Sequence, residues 1–461
     1  MKKNKIIFIT ATILTAFIFS SCFNAVFYNI RQDVYPEEST VKGVINTICR
    51  YTIGGEEYLF LAAEGGLRYK LSKTGNERSS NKSSWKVYSN LPFDLHKYVY
   101  YSTTGSAHDG QTILKVLADK DTLYLVTTDY SQDLYEGYSS PNHTRIWATQ
   151  LTASENGTLS GTWTEIKFGS EEGDYTADQQ RDKVFPYTYN KTNKLYFSHF
   201  NVFSTNSPMP EHRKVFVRGN SKNGASGGDC YYELVGLNKP SEITLKKVDN
   251  ITANVIATKS EETNVTNATN IDSVAYLDGE YYFFDSIAVT TNETYSDDAT
   301  LIYFALSSSS SAEYEDYHPS TKYLSYLKKD DGNIKIGTYD NDWDGSCGEA
   351  ISSLAVTSDY ILIGRGDYSY STSTAGGIVK ASLNENGIPV ETKSFDTNAS
   401  IQLSYSYQIL TLLVTDPSKK ERENIIYSSI TFKGTGTSGG TSFDNIGLWA
   451  YYPDRDNWNC E

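Results

Sequence analysis

Ile45–Tyr51, the tight turn Gly54-Gly55-Glu56, the apolar run Tyr58-Leu59-Phe60-Leu61-Ala62, then Gly66-Leu67-Arg68-Tyr69-Lys70-Leu71 and Trp85-Lys86-Val87-Tyr88 decide how this chain folds. Short runs rich in β-branched and aromatic residues, separated by Gly and Asp turns, read as strands joined by hairpins. The same order recurs five more times. The second copy reads ILKVLA, DKDT, LYLVTT, RIWATQL, WTEIKF, and the third VFPYTY, NKTN, KLYFSHF, CYYELVGL, ITLKKV. The fourth is DSVAYL, DGE, YYFFDS, YLSYLKKDDG, NIKIGTY, and the fifth ISSLAV, TSD, YILIGRG, GGIVKASLNENG, PVETKSF. The sixth, ILTLLVTD, IIYSSITF, Gly447–Tyr452 and Asn457-Trp458, is the least regular.

Four strands recurring at roughly 65 residues predict an all-β propeller, since each sheet needs a neighbour on both faces to bury its apolar side chains. The prediction is six four-stranded blades over 41–461. Seven is the alternative count, because the third and fourth segments hold insertions long enough to contain further strands. The element Gly65-Gly66-Leu67-Arg68-Tyr69 resembles blade motifs of several bacterial propellers.

The N-terminus reads differently. Met1-Lys2-Lys3-Asn4-Lys5 is basic, Ile6–Phe19 is apolar and uncharged, and Ser20-Ser21 lead into Cys22. This is the layout of a secretory signal, and the apolar run is shorter than the ~20 residues of a spanning helix. Phe19-Ser20-Ser21-Cys22 resembles the lipobox of bacterial lipoproteins, in the loose form of spirochaete sequences. The resemblance implies cleavage after residue 21, acylation of Cys22, a tether over 22–40 and attachment to a membrane of the cell envelope, on its outer or its periplasmic side. Residues 23–40 read equally as an added strand that closes the last blade.

The whole chain has 461 residues and a formal charge of −15; without residues 1–21, which carry Lys2, Lys3 and Lys5, it is −18. Such a surface repels nucleic acid and gains nothing from anionic lipid, so attachment rests on acyl chains. Cys49, Cys230, Cys347 and Cys460 have no paired zinc spacing. A Cys49–Cys460 bridge would tie the first repeat to the last; buried free thiols are the other reading.

The spare length of the repeat falls between its second and third strands, at 129–144, 200–229, 288–321, 365–377 and 433–446. In a four-stranded blade these connections and the blade-to-blade connections leave from the same face, where loops on a rigid scaffold carry function. They are rich in Tyr among small polar residues, and Tyr130, Tyr135, Tyr138, Tyr314, Tyr317, Tyr368 and Tyr370 are the candidate ligand-binding residues. The first turn of the last repeat, PSKKEREN, is a long connection on the opposite face.

Asp340-Asn341-Asp342-Trp343-Asp344-Gly345 resembles the start of a calcium loop, with Asp340, Asp342, Asp344 and Glu349 as ligands; position twelve is Ile351 where a bidentate Glu belongs. Gly224-Ala225-Ser226-Gly227-Gly228 fits a nucleophile motif in spacing alone, without the flanking strand and helix. The histidines lack metal spacing, and no catalytic pair stands out among 56 acidic residues. The reading is a lipid-anchored envelope protein binding a protein or glycan ligand. A carbohydrate-active hydrolase or lyase and a purely structural envelope component are the alternatives.

Overall fold

The computed structural model describes residues 41–42, 45, 47–63, 66–72, 85–95, 111–129, 144–166, 187–190, 195–198, 201–220, 229–236, 239–248, 255–256, 271, 273–284, 287–293, 299–306, 321–330, 333–338, 351–365, 377–395, 407–432, 447–453 and 456–461. Blade one is β1 (Ile48–Ile53), β2 (Glu56–Ala63), β3 (Gly66–Leu71) and β4 (Lys86–Val87). Blade two is β5 (Gln111–Ala118), β6 (Leu123–Asp129), β7 (Thr144–Thr149) and β10 (Thr164–Glu165), with the hairpin β8 (Thr152–Ala153) and β9 (Leu159–Ser160) inserted before its last strand. A separate pair, β11 (Tyr187–Asn190) and β12 (Leu195–Ser198), precedes blade three: β13 (Asn201–Ser204), β14 (Val215–Asn220), β15 (Asp229–Val235) and β16 (Thr244–Lys247). A three-stranded sheet follows, β17 (Val255–Ile256), β18 (Ser273–Leu277) and β19 (Glu280–Phe284), in the order β17-β19-β18. Blade four is β20 (Ala288–Thr291), β21 (Thr300–Leu306), β22 (Thr321–Asp330) and β23 (Asn333–Thr338). Blade five is β24 (Ile351–Val356), β25 (Tyr360–Arg365), β26 (Gly377–Leu383) and β27 (Pro389–Ser394), and blade six is β28 (Tyr407–Val414), β29 (Ile426–Phe432), β30 (Gly447–Tyr452) and β31 (Asn457–Cys460).

The six four-stranded antiparallel sheets form a β-propeller, as the repeat predicts. Their first strands line the axis in the order β1, β5, β13, β20, β24, β28 and back to β1, with β18 of the three-stranded sheet wedged between β13 and β20. Each seam between neighbouring sheets holds one apolar cluster. Blades one and two share Cys49, Phe60 and Tyr69 with Val116 and Leu125. The third sheet meets the wedge through Phe203, Phe216, Val274 and Phe283, and the wedge meets blade four through Leu277, Tyr282, Leu301 and Leu327. On blade one an aromatic row, Tyr51, Phe60, Tyr69 and Tyr88, continues onto Trp163 of blade two, with ring centroids 5.8–6.4 Å apart. Such edge and offset contacts add to plain burial.

Two local devices shape the ring. Gly54-Gly55 and Asp278-Gly279 have positive φ at both central positions, the geometry whose twist matches a two-residue hairpin. Near the start of β5, β24 and β28 a bulge bends the inner strand, at Ile113/Lys115, Ile351/Ser353 and Ile409/Thr411. At the last of these, Gly364 of β25 lies so close to β28 that a Cβ there would stand 2.6 Å from the Ile409 side chain.

Two expectations need correction. The runs VFPYTY and KLYFSHF are not the first half of blade three; they form the separate β11–β12 hairpin. The first halves of blades three and four, β13–β14 and β20–β21, come from within 200–229 and 288–321, which the sequence reading takes as loops. Asn201–Ser204 and Ala288–Thr291 are four-residue strands with mixed burial, too short for their alternation to stand out. Secondly, Cys49 carries a free thiol in the seam of blades one and two, while Cys460 lies in that of blades five and six, so no bridge joins them.

Closure is instead non-covalent. Val41 N–H donates to Glu461 O (2.8 Å), Leu448 N–H donates to Val41 O (3.0 Å), and Val41 and Ile45 are fully buried against Leu413, Tyr427 and Leu448. Residues 23–40 lie outside the described residues. Across this seam the Lys70 ammonium meets the Glu461 carboxylate at 3.3 Å, each side chain 1% exposed. Trp85 Nε1–H (2.7 Å) and the Tyr452 hydroxyl donate to the same carboxylate, and Lys70 lies over the Tyr427 ring. Removing one charge of such a pair leaves the other stranded. Glu461→Gln is therefore expected to lower the unfolding free energy by about 3 kcal/mol in urea denaturation, and Lys70→Met/Glu461→Gln to recover most of that loss.

Candidate functional site

The strand order gives the disc two unlike ends. Second-to-third connections leave from one end: 64–65, 130–143, 221–228, 307–320, 366–376 and 433–446. Tyr130, Tyr135, Tyr138, Tyr314, Tyr317, Tyr368 and Tyr370 all belong to these connections and lie outside the described residues. So do Asp340, Asp342, Asp344 and Glu349, which follow β23 and precede β24 at the same end. Cys22 is also outside them. Among the described residues no group of three or more His, Cys, Asp or Glu side chains is placed to hold a metal ion. No described helix is long and apolar enough to cross a membrane.

First-to-second turns lie at the opposite end, and there the connection between β13 and β14 does something the sequence did not announce. Residues 205–214 form a strap with a single 3-10 turn at Pro210–His212. From blade three it reaches back to blade one, past blade two. The Arg213 guanidinium donates to Arg50 O (2.9 Å), Ser207 O (2.6 Å) and Pro208 O (3.1 Å) and pairs with Glu57 at 3.3 Å. Arg50, 3% exposed, pairs with the other Glu57 oxygen at 3.6 Å and donates to Val414 O of blade six. One carboxylate on β2 thus holds two buried guanidinium groups, and together they join blades six, one and three beside the axis. Burial lowers the pKa of both arginines, and the Glu57 charge opposes that shift.

The far side of the strap is fixed to blade four. Ser207 Oγ–H donates to Glu293, and His212 Nδ1 lies 3.0 Å from the same carboxylate oxygen. The imidazole stacks on Tyr276 of the wedge with centroids 3.8 Å apart. Burial raises the Glu293 pKa, and the hydrogen bonds from Ser207 and His212 pull it back. These groups satisfy one another, so the strap fastens blade three to blades one and four.

The PSKKEREN connection, the long first turn expected on this face, is tied down. Lys419 O accepts from Ser358 N–H (2.9 Å), Asp359 Oδ1 accepts from Glu421 N–H (2.7 Å), and buried Glu421 pairs with Lys380 at 2.7 Å. Arg213, Glu57 and Glu293 escaped sequence reading because partners 156 and 81 residues apart leave no local pattern. The one visible signal is an arginine inside the apolar strand ICRYTI.

No protein-family model matches the chain, and no curated protein matches it. Among solved structures the chain is similar to the C-terminal domain of gp131 from bacteriophage phiKZ, with a TM-score of 0.31 and 9% identity over 88% of this chain and 95% of that one. A likeness of that degree carries no argument about activity.

Asp119, in the β5–β6 turn of the strap-bearing end, gives this end a pH dependence. It accepts from Thr122 N–H (2.9 Å), Asp121 N–H (3.2 Å) and the Tyr124 hydroxyl. Burial outweighs these bonds and pushes its carboxyl up to about 6. The folded chain therefore holds a proton that the unfolded chain has released above about pH 4. The stability from this group is full below about pH 4 and falls as pH rises to about 6. In urea denaturation across that range, Asp119→Asn is expected to flatten this part of the slope.

Proposed function

We propose that this protein is a lipid-anchored component of the bacterial cell envelope that holds a protein or glycan ligand on the propeller end carrying the second-to-third connections. The propeller itself is a scaffold suited to ligand binding. The observation that carries the reading is the asymmetry of the disc. At one end the strap ties blades one, three and four together, with Arg213 and Lys214 paired to Glu57 and Glu233, and the other end receives the connections richest in Tyr, Ser, Thr and Gly. Rigid scaffolds with adaptable loops at one end are how recognition surfaces are commonly built, and Tyr offers a large contact area at low entropy cost. The Cys22 lipobox supports attachment by acyl chains, and the acidic body supports a partner other than nucleic acid.

The test uses the full chain expressed in a bacterial host and compared with Cys22→Ala, Tyr314→Ala/Tyr317→Ala and Tyr368→Ala/Tyr370→Ala. Labelled palmitate should enter the parent and both tyrosine variants and be absent from Cys22→Ala. On arrays of glycans and envelope proteins, the parent should bind saturably without product release, and the tyrosine variants should bind about tenfold more weakly, a loss on the scale of one aromatic contact. Release of shortened glycans would favour the hydrolase or lyase. Unchanged binding by both tyrosine variants would move the site away from these connections.

A further inference from the structure

We propose that Asn156 is a site of spontaneous deamidation, converted by its own backbone and water to aspartate and isoaspartate, while Asn386 in the same local sequence is protected by the fold. The inference is independent of the binding role proposed for the loop-bearing end.

The tripeptide Glu-Asn-Gly occurs twice, in Ser154-Glu155-Asn156-Gly157-Thr158 and in Asn384-Glu385-Asn386-Gly387-Ile388. The first closes the β8–β9 hairpin and the second joins β26 to β27. The two turns share one backbone. Ser154 N–H donates to Thr158 O (3.0 Å) and Asn384 N–H to Ile388 O (2.9 Å). Gly157 N–H donates to Ser154 O (2.8 Å) and Gly387 N–H to Asn384 O (2.9 Å), and both glycines have a φ of +71°. With sequence and turn alike, the surroundings decide which asparagine reacts.

Deamidation begins when the glycine amide nitrogen attacks Cγ of the asparagine. The N–Cγ bond forms, the Cγ–Nδ2 bond breaks, and ammonia leaves with the amide proton, which water carries across. Water then opens the five-membered imide at either carbonyl, giving aspartate or isoaspartate. Negative charge develops on Oδ1 during the attack, so donors aimed at that oxygen lower the barrier. At Asn156 two donors of the same turn meet Oδ1, the Ser154 hydroxyl and Thr158 N–H (3.1 Å). A bond from the amide two residues on folds the side chain back over the intervening peptide, the one that must attack. Asn156 is exposed, and a Cβ placed on Gly157 would meet nothing closer than Lys86 Nζ at 3.6 Å, so the turn has room to react.

Asn386 is held from blade four instead. Lys328 Nζ–H donates to its Oδ1 (3.2 Å) and the Thr300 hydroxyl to its backbone O (2.7 Å). Ile388 N–H donates to Asn384 Oδ1 (3.0 Å) and so does not draw the Asn386 side chain over the Gly387 peptide. Gly387 is buried, and a Cβ on it would run into Thr291. The seam fixes both ends of the reacting pair. At Asn156 conversion has a structural effect. Its hairpin is tied to blade one by Lys86, which donates to Gly157 O (3.4 Å), and by Asn90, whose amide donates to Gly161 O (3.3 Å), and it sets Leu159 in the seam of blades one and two. Aspartate adds a charge beside Glu155, and isoaspartate also adds a methylene to the main chain within the turn. Conversion therefore loosens this buttress and leaves the matching one between blades four and five intact.

The experiment incubates the full chain, folded and in concentrated urea, at mildly alkaline pH. Peptide mapping by mass spectrometry then separates asparagine, aspartate and isoaspartate at both positions. In urea the two sites should react at similar rates, because they share Glu-Asn-Gly. In the folded chain Asn156 should react at least about tenfold faster than Asn386, the effect of about one hydrogen bond on the barrier. Lys328→Met/Thr300→Val should narrow that gap. Equal rates in the folded chain, a faster Asn386, or a ratio identical in folded chain and urea would overturn the assignment. A gap unchanged in the double variant, with its melting transition retained, would overturn the protection claimed for Asn386.

Discussion

A sheet with two apolar faces is stable only with a neighbour on each, and in a ring that condition must hold at the last seam as well as the first. The junction of blades six and one is therefore the constraint on which the rest depends. It is met by Val41 and Ile45 buried in the last blade and by Lys70 and Glu461 paired in the buried interior of the seam. A hydrophobic seam alone would have no preference for one registration of the two blades. A charge pair lined by Trp85, Tyr427 and Tyr452 is satisfied in one registration only, and that selectivity explains a buried ion pair where apolar packing would serve stability as well.

The same logic recurs at the axis. Inner strands approach one another closely there, and side chains of one strand bond the backbone of the next. Lys115 reaches Asn201 (2.6 Å) and Val202 O (3.1 Å), Thr290 reaches Tyr276 O, and Ser352 reaches Ile409 O. The strap adds links between non-adjacent blades, through Arg213 to Arg50 and Glu57. These links cross-brace the strap-bearing end of the disc beyond its nearest-neighbour seams.

What could be read from sequence follows from what is local. Gly54-Gly55 and Asp278-Gly279 announce their hairpins because only small or αL-tolerant residues suit the turn. Runs such as Tyr58–Ala62 and Tyr360–Gly364 announce core strands by apolarity alone. The count of six blades is legible from the repeat, but the boundaries of blades three and four are not, because Asn201–Ser204 and Ala288–Thr291 read as weaker strands than the neighbouring runs KLYFSHF and YYFFDS. The strap and the closing pair were not legible at all. Arg213 meets Glu57 and Lys70 meets Glu461 only after the ring has formed, and no spacing in the chain encodes those meetings. The loop-bearing end is legible as a place, through the spare length of its connections.

That the strap fastens blade three to blades one and four is tested most directly by amide hydrogen exchange on the full chain. Thr205, His212 and Arg213 donate their amides to Lys214 O, Met209 O and Pro210 O, and the Lys214 amide donates to the Thr205 hydroxyl. If the strap is a fastening, these amides exchange as slowly as those of β1 and β13, because they open only when the ring opens. Exchange within seconds there, with β1 and β13 still protected, would mean that the strap is a loose surface segment and no fastening.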